Sequence, residues 1–230
     1  MTRVGVITGL AAESACVLGR HDGKSNLLVA CAGADAERAG EAARRLIGEG
    51  CKALVGFGVA GGLASDLAPG AVVVADGVVT PDGRRLEVDE HWRQRLGCRI
   101  SARIGARGGT IVTVVDAVTD SACKRMLAAR TGSVAVDMES YAIVQVATGA
   151  GVPVLIVRAI ADPLDRALPA WLPITIRRDG TTDLAVVAKQ LSRRPWEIAQ
   201  LIRVGLDFRR GLSALRRVAA DAGPLFHFTR

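Results

Sequence analysis

Two short blocks hold the residues best suited to chemistry: Val136-Asp137-Met138-Glu139, and, about twenty residues later, Arg158-Ala159-Ile160-Ala161-Asp162. The second block ends an apolar run that begins at Val152 and reads as a buried strand, so its arginine and aspartate fall at a strand's carboxyl end. In open α/β sheets ligands bind beyond those ends. Charged groups set there are suited to acid–base work, in which one positioned acid or base contributes about 10²–10⁴-fold. Burial can supply the raised pKa that a carboxylic acid needs for that role. Three features converge on these blocks: the N-terminal run Val4 to Thr8, Glu13 just beyond it, and a strand ending in Gly58-Val59-Ala60-Gly61-Gly62. Read as a loop, that glycine segment lets the backbone approach a ligand, and its consecutive N–H groups form an anion-binding concavity. Each residue also has a plainer reading when taken alone. Asp162-Pro163 is a common turn pair, Glu139 at a helix start is stabilised by the helix dipole by roughly 0.3–1 kcal/mol, and Arg158 at a strand end suits a surface ion pair.

The elements that must position these residues alternate. Strands are expected at Val4–Thr8, Asn26–Ala32, Ala53–Gly58, Ala71–Thr80, Thr110–Val115, Val134–Asp137 and Val152–Ile160, with helices from Ala11, over Asp35–Gly48, Ser121–Arg130 and Ser140–Thr148. The succession predicts an α/β single domain: a twisted, largely parallel sheet flanked by helices. At 230 residues the chain is long enough for one such core without disulfides or metals. Half of its residues are apolar and only 3% aromatic, so Val, Ala, Leu and Ile must fill the interior. The five cysteines are odd in number and include no C-x-x-C, which argues against a disulfide framework or a zinc site. The start of the chain reads as a first strand rather than a signal peptide, because its apolar run is short and a glutamate follows it. A cytoplasmic setting is expected.

Order and spacing of the three blocks, from residue 4 to about residue 165, resemble the nucleoside phosphorylase and nucleosidase superfamily, and most closely the methylthioadenosine/S-adenosylhomocysteine nucleosidases with their Gly-x-Ala-Gly-Gly, Val-[Asp/Glu]-Met-Glu and Arg-Ala-Ile-Ser-Asp motifs. The whole chain is similar to the hopanoid-associated nucleoside phosphorylases, through Asp137-Met138-Glu139-Ser140, Asp162-Pro163, Leu168-Pro169, Asp179-Gly180 and the arginine-rich C-terminal stretch. The resemblance implies cleavage of a purine N-ribosidic bond, with adenine released from adenosylhopane. Asp162 then corresponds to the aspartate that protonates or hydrogen-bonds N7 of the base, and Glu13 to the carboxylate that activates water. Glu139 would grip the ribose hydroxyls, Met138 would pack on the sugar, and Arg158 would bind Glu13, Glu139 or the nucleophile. Val59 and Gly61 would line the sugar side. Two positions depart from the family: Val59 and Ala161 stand where serine is usual, and they would suit a ligand-binding member without catalysis.

The resemblance leaves hydrolysis and phosphorolysis open, and the residues favour water. No Gly-Asp-x-x-Arg segment is present to hold phosphate, and Glu13 occupies the nearby region. A carboxylate about 4 Å from phosphate costs on the order of 4 kcal/mol per unit charge at an effective dielectric near 20. Arg38 is the candidate helper if inorganic phosphate is the co-substrate. No organic cofactor and no metal is implied, and His21, His91 and His227 take no role. A homo-oligomer is expected from the family.

Charge is concentrated late in the chain. Residues 171–230 hold 11 Lys/Arg against 5 Asp/Glu, whereas residues 1–170 hold 19 against 18. The division expected is therefore a core over 1–168 and a basic helical extension over 169–230 that packs on it. Scarce aromatics and the lack of any recognition motif argue against nucleic acid as the acidic partner. Basic amphipathic helices beside a site for a lipid-linked nucleoside instead suit peripheral contact with an anionic membrane, at about 1 kcal/mol per basic residue near the surface.

Overall fold

The computed structural model describes residues 2–19, 26–223 and 225–228, with the side chains of residues 101–103 left aside. His21 lies outside the described residues.

Nine strands form one sheet: β1 (Arg3–Thr8), β2 (Leu27–Cys31), β3 (Cys51–Gly62), β4 (Val72–Val74), β5 (Gly77–Val79), β6 (Arg85–Glu87), β7 (Thr110–Thr113), β8 (Ala135–Asp137) and β9 (Val154–Asp162). Among the described residues there are seven α-helices: α1 (Ala11–Leu18), α2 (Ala36–Gly48), α3 (Glu90–Ile104), α4 (Ser121–Thr131), α5 (Ser140–Gly149), α6 (Leu184–Arg193) and α7 (Ile198–Asp221). Five of the eight strand pairings among the described residues are parallel, namely β1–β2, β1–β3, β3–β9, β5–β7 and β7–β8. Pairs β3–β8, β4–β9 and β5–β6 are antiparallel. The α/β architecture, a largely parallel sheet between helices, is the one expected.

Side-chain alternation along the central strands sorts the core into two layers. On one face Ala53, Val55 and Phe57 of β3, with Leu155, Val157 and Ala159 of β9, pack against α1, α3 and the C-terminal half of α7. On the other, Leu54 of β3 with Val154, Ile156 and Ile160 of β9 meet the small residues Ala39, Ala42 and Ala43 of α2 and Ile143, Val144 and Ala147 of α5. Each fully buried Leu or Ile contributes roughly 1.5–3 kcal/mol of transfer free energy. The chain end is tied beneath the first face: Trp92 Nε1 donates to the carbonyl of Phe226 at 2.7 Å, and Phe226 meets the Phe57 ring edge-on at 5.5 Å.

Three expectations change. The glycine segment 58–62 is not a loop. It continues β3 and pairs with β9 on one side and, at Gly61 and Gly62, with β8. The Ala71–Thr80 run splits into β4 and β5. Residues 85–104, assigned no element from the sequence, form β6 and α3, whose Trp92, Leu96 and Ile100 recur at i, i+4 and i+8 and are fully buried.

Candidate active site

The parallel strands β1, β3 and β9 end on one side of the sheet, where β8 runs back antiparallel beside β3, and two charged clusters sit at or near those ends. The first is built around Arg158, 1% exposed in the middle of β9. Its Nε donates to Asp137 Oδ2 at 2.7 Å, and its Nη2 to Glu139 Oε2 at 3.3 Å and Ser140 Oγ at 3.0 Å. Asp137 ends β8 and is held from behind by Thr113 Oγ1 at 2.8 Å and by the Ser140 hydroxyl. Glu139 is the residue just before α5 but its carboxylate does not cap that helix, whose first N–H groups, of Ser140 and Tyr141, go to Asp137 Oδ1 (3.3 Å) and Thr113 Oγ1 (3.0 Å).

Glu13, in the first turn of α1, completes the cluster. Its Oε2 accepts from the main-chain N–H of Gly9 (2.8 Å) and Leu10 (2.9 Å), and its Oε1 from that of Val59 (2.8 Å). The Val59 N–H thus serves a carboxylate of the chain itself, and the anion-binding concavity expected at residues 58–62 is absent. Side chains are excluded at two glycines. A Cβ on Gly58 would stand 2.7 Å from Glu13 Oε2 and 2.8 Å from Arg158 Nη1, and one on Gly9 would meet Glu139 Oε1 at 2.5 Å. Glu13 and Glu139 therefore share a common wall. Met138 is half-buried between Asp137 and Glu139, and the half-buried Val59 packs with the core on the α7 side.

Burial dominates the electrostatics of this cluster. It pushes the Glu13 carboxyl above its ordinary value although three N–H groups and Arg158 pull the other way. Glu139 is pushed up to about 8, with Arg158 opposing burial and the Asp137 and Glu13 charges adding to it. Three carboxyls surround one guanidinium, and their like charge adds to burial in raising Glu139.

The second cluster surrounds Asp162, the last residue of β9. The β3–β9 register slips between Ala60 and Gly61, so Gly61 faces Asp162 and Ala161 is the extra residue. Such a bulge re-aims the side chain that follows it. Gly61 is needed there because a Cβ would meet Val136 Cγ1 at 3.0 Å and Asp162 Oδ2 at 3.1 Å. Lys124 of α4, completely buried, donates to Asp162 Oδ2 at 2.5 Å. Burial raises the Asp162 carboxyl and Lys124 lowers it, leaving it above its ordinary value. Arg158 and Asp162 are four residues apart on one strand, about 13 Å along the backbone.

Of the residues expected to act together, Glu13, Glu139 and Arg158 do meet, and Asp162 lies on the same strand beyond them. Sequence reasoning left Asp137, Gly9 and Lys124 without roles. The first is the tightest partner of Arg158 and stood in a quoted block, so its motif was the available signal. Arg38, the candidate phosphate helper, is spent on the carbonyls of Ala32 and Gly33 at 2.6 and 2.7 Å. His91 lines a cleft of about 570 Å³ at the opposite, amino ends of the strands, with Lys52, Asp89 and Arg95. Among the described residues no group of three His, Cys, Asp or Glu side chains is arranged to hold a metal ion.

Residues 11–193 match the family model of the phosphorylase superfamily. No protein of curated function matches the chain. Solved structures share the fold. The 5′-methylthioadenosine/S-adenosylhomocysteine nucleosidase from Neisseria meningitidis, in complex with methylthio-immucillin-A, superposes with a TM-score of 0.74 at 18% identity, covering 96% of this chain and 98% of that one. The corresponding Helicobacter pylori nucleosidase gives 0.69 at 17%, covering 95% and 98%. Futalosine hydrolase of Helicobacter pylori gives 0.68 at 17%, covering 96% and 97%. The chain belongs to the phosphorylase superfamily, and it is an enzyme that cleaves nucleosides.

Proposed function

From that membership we propose that the chain hydrolyses the N-ribosidic bond of an adenine nucleoside and releases adenine. Breaking this bond leaves positive charge on the sugar and negative charge on the base. Asp162 donates a proton to N7 of the departing purine, Glu13 takes a proton from the attacking water, and Glu139 holds the ribose hydroxyls with Met138 against the sugar. Arg158 keeps the two glutamates in place. One observation carries hydrolysis over phosphorolysis: the Arg158 guanidinium is already engaged by Asp137 and Glu139, and the Val59 N–H by Glu13. A phosphate dianion entering there would meet three carboxyls whose one buried guanidinium is already engaged. Water carries no such penalty.

The finer reading is that the nucleoside bears a 5′ lipid substituent of the hopane kind, and that the enzyme works at an anionic membrane surface. Support comes from the sequence resemblance and from one face of the molecule. Leu184, Trp196, Ile198, Ile202 and Leu206 are exposed apolar side chains on α6, α7 and the turn between them, with Trp196 73% exposed. Exposed basic residues Lys189, Arg193, Arg203, Arg209 and Arg210 surround them. Helix α7 itself adjoins the site, since its buried Asp207 pairs with Arg166, four residues after Asp162. No helix among the described residues is long and apolar enough to cross a membrane, so the contact would be peripheral.

Adenine release from a soluble 5′-alkylthioadenosine, with phosphate present and then removed, tests the chemistry. Hydrolysis requires equal rates in both; strict phosphate dependence would establish phosphorolysis instead, and no adenine in either would sink catalysis. Sedimentation with phosphatidylglycerol vesicles tests the surface. Binding should exceed that to phosphatidylcholine vesicles, weaken with salt, and drop with Ile202→Glu. A concentration-dependent dimer that Ile202→Glu dissociates, without vesicle binding, would assign the face to a second copy of the chain.

A further inference from the structure

Lys124 is a fully buried lysine whose surroundings are those of a designed socket. Its ammonium donates to Asp162 Oδ2 and to three main-chain carbonyls, Asp162 at 3.3 Å, Pro163 at 3.0 Å and Arg166 at 3.1 Å. The three carbonyls hold the ammonium in place whatever the state of the aspartate. Oδ2 is thereby occupied, while among the described residues no donor reaches Oδ1. Because Ala161 offers no hydroxyl, Lys124 is the polar side chain that aims this carboxyl.

We propose that Lys124 is a positioning residue for departure of the base: it holds Oδ2 of Asp162 so that Oδ1 faces the purine, and it pairs with the carboxylate that remains after proton transfer. This rests on Asp162 being the acid of the proposed reaction. In that step the C1′–N9 bond breaks and its electron pair goes to the purine. The Oδ1–H proton passes to N7, and Asp162 becomes a carboxylate already in contact with an ammonium. Water adds to C1′ and gives its proton to Glu13. An ammonium beside the acid makes the proton easier to lose, which burial alone would make harder. The other charged groups about Asp162 are Arg166 on the following loop and Asp207 on α7, which pair with each other at 3.1 Å. Asp207, which also pairs with Arg210 at 2.8 Å, raises the Asp162 carboxyl as burial does, so Lys124 is the cation that opposes both.

The test compares Lys124→Met, Lys124→Arg and Asp162→Asn on two substrates: a 5′-alkylthioadenosine, whose base needs a proton to leave, and a nitrophenyl riboside, whose phenolate does not. Lys124→Met should lower kcat for adenine release on the order of 10²-fold, the loss that misplacement of about 1 Å can cause, with KM little changed. The alkaline limb of its pH–kcat profile should move to higher pH, and Lys124→Arg should return it towards the wild-type position. On the nitrophenyl riboside both Lys124→Met and Asp162→Asn should lose far less. If Lys124→Met loses activity equally on both substrates with its alkaline limb unmoved, the lysine merely anchors the loop and the proposal fails. If Asp162→Asn releases adenine at the wild-type rate, it is the acid assignment that fails. Should Lys124→Met not fold, Lys124→Gln supplies the same comparison, since it keeps donors for the carbonyls and removes the charge.

Discussion

The Arg158 and Asp162 clusters each set carboxyls against a buried cation on β9, one in the middle of that strand and one at its carboxyl end, yet their balance of charge differs. Around Arg158 three carboxyls share one guanidinium; at Asp162 one carboxylate meets one ammonium. The first cluster is held by groups that cannot themselves titrate, namely the N–H groups of Gly9, Leu10 and Val59 and the hydroxyls of Thr113 and Ser140. The second is held by carbonyls that grip the cation. An over-negative site suits a developing sugar cation and repels a second anion. A balanced pair suits a group that must release one proton and then carry a charge. Buried carboxyls paired with a buried cation thus do different work because the ratio of carboxyls to cations differs.

Removing the cation from each cluster is the sharpest way to break that contrast. Arg158→Met leaves three buried carboxyls with nothing to pair, and a buried pair that loses one partner typically costs about 3–5 kcal/mol. Urea unfolding at neutral pH should report a loss in that range together with loss of adenine release. Lys124→Met strands a single carboxyl, which can take up a proton, so its stability loss should be clearly the smaller of the two. Equal losses would erase the distinction between the clusters. Gly58→Ala comes next. Its methyl would press on Glu13 Oε2 and Arg158 Nη1, and overpacking of this kind costs typically 1–3 kcal/mol. The same methyl added at Gly48, where nothing lies within 4 Å, should leave stability unharmed.

The sequence displays the first cluster better than the second, for a physical reason. Apolar runs of strand length mark β1, β3 and β9, and Glu13 just beyond the first and Arg158 as the charge inside the last stand out against them, while Glu139 is marked by its motif. Lys124 leaves no such mark. In Ser121–Thr131 it reads as one of several polar helical residues, and only the approach of a loop about forty residues later buries it. The glycine run 58–62 misleads in the opposite sense. Glycine lowers local strand propensity, but pairing with two neighbouring strands overrides it. Helix α3 was legible and went unread, since its apolar stripe is a single row, Trp92, Leu96 and Ile100, among charged residues.

A smaller effect, and the most direct measure of the charge imbalance, is the dependence of stability on pH. Glu13, Glu139 and Asp162 are all raised by burial, Glu139 to about 8. A carboxyl whose folded value lies above its unfolded value binds its proton more tightly when folded. Its stabilising contribution is therefore complete below the ordinary carboxylate range and is lost as pH rises through the folded value. Tm should accordingly decline between about pH 5 and pH 8, the reverse of a protein whose carboxylates are held down by ion pairs. Glu139→Gln keeps the shape and much of the hydrogen bonding while removing the titration, so its Tm should fall less steeply over that interval and exceed the wild type's most at the alkaline end. A wild-type Tm that rises with pH would mean that Arg158 outweighs burial in its cluster.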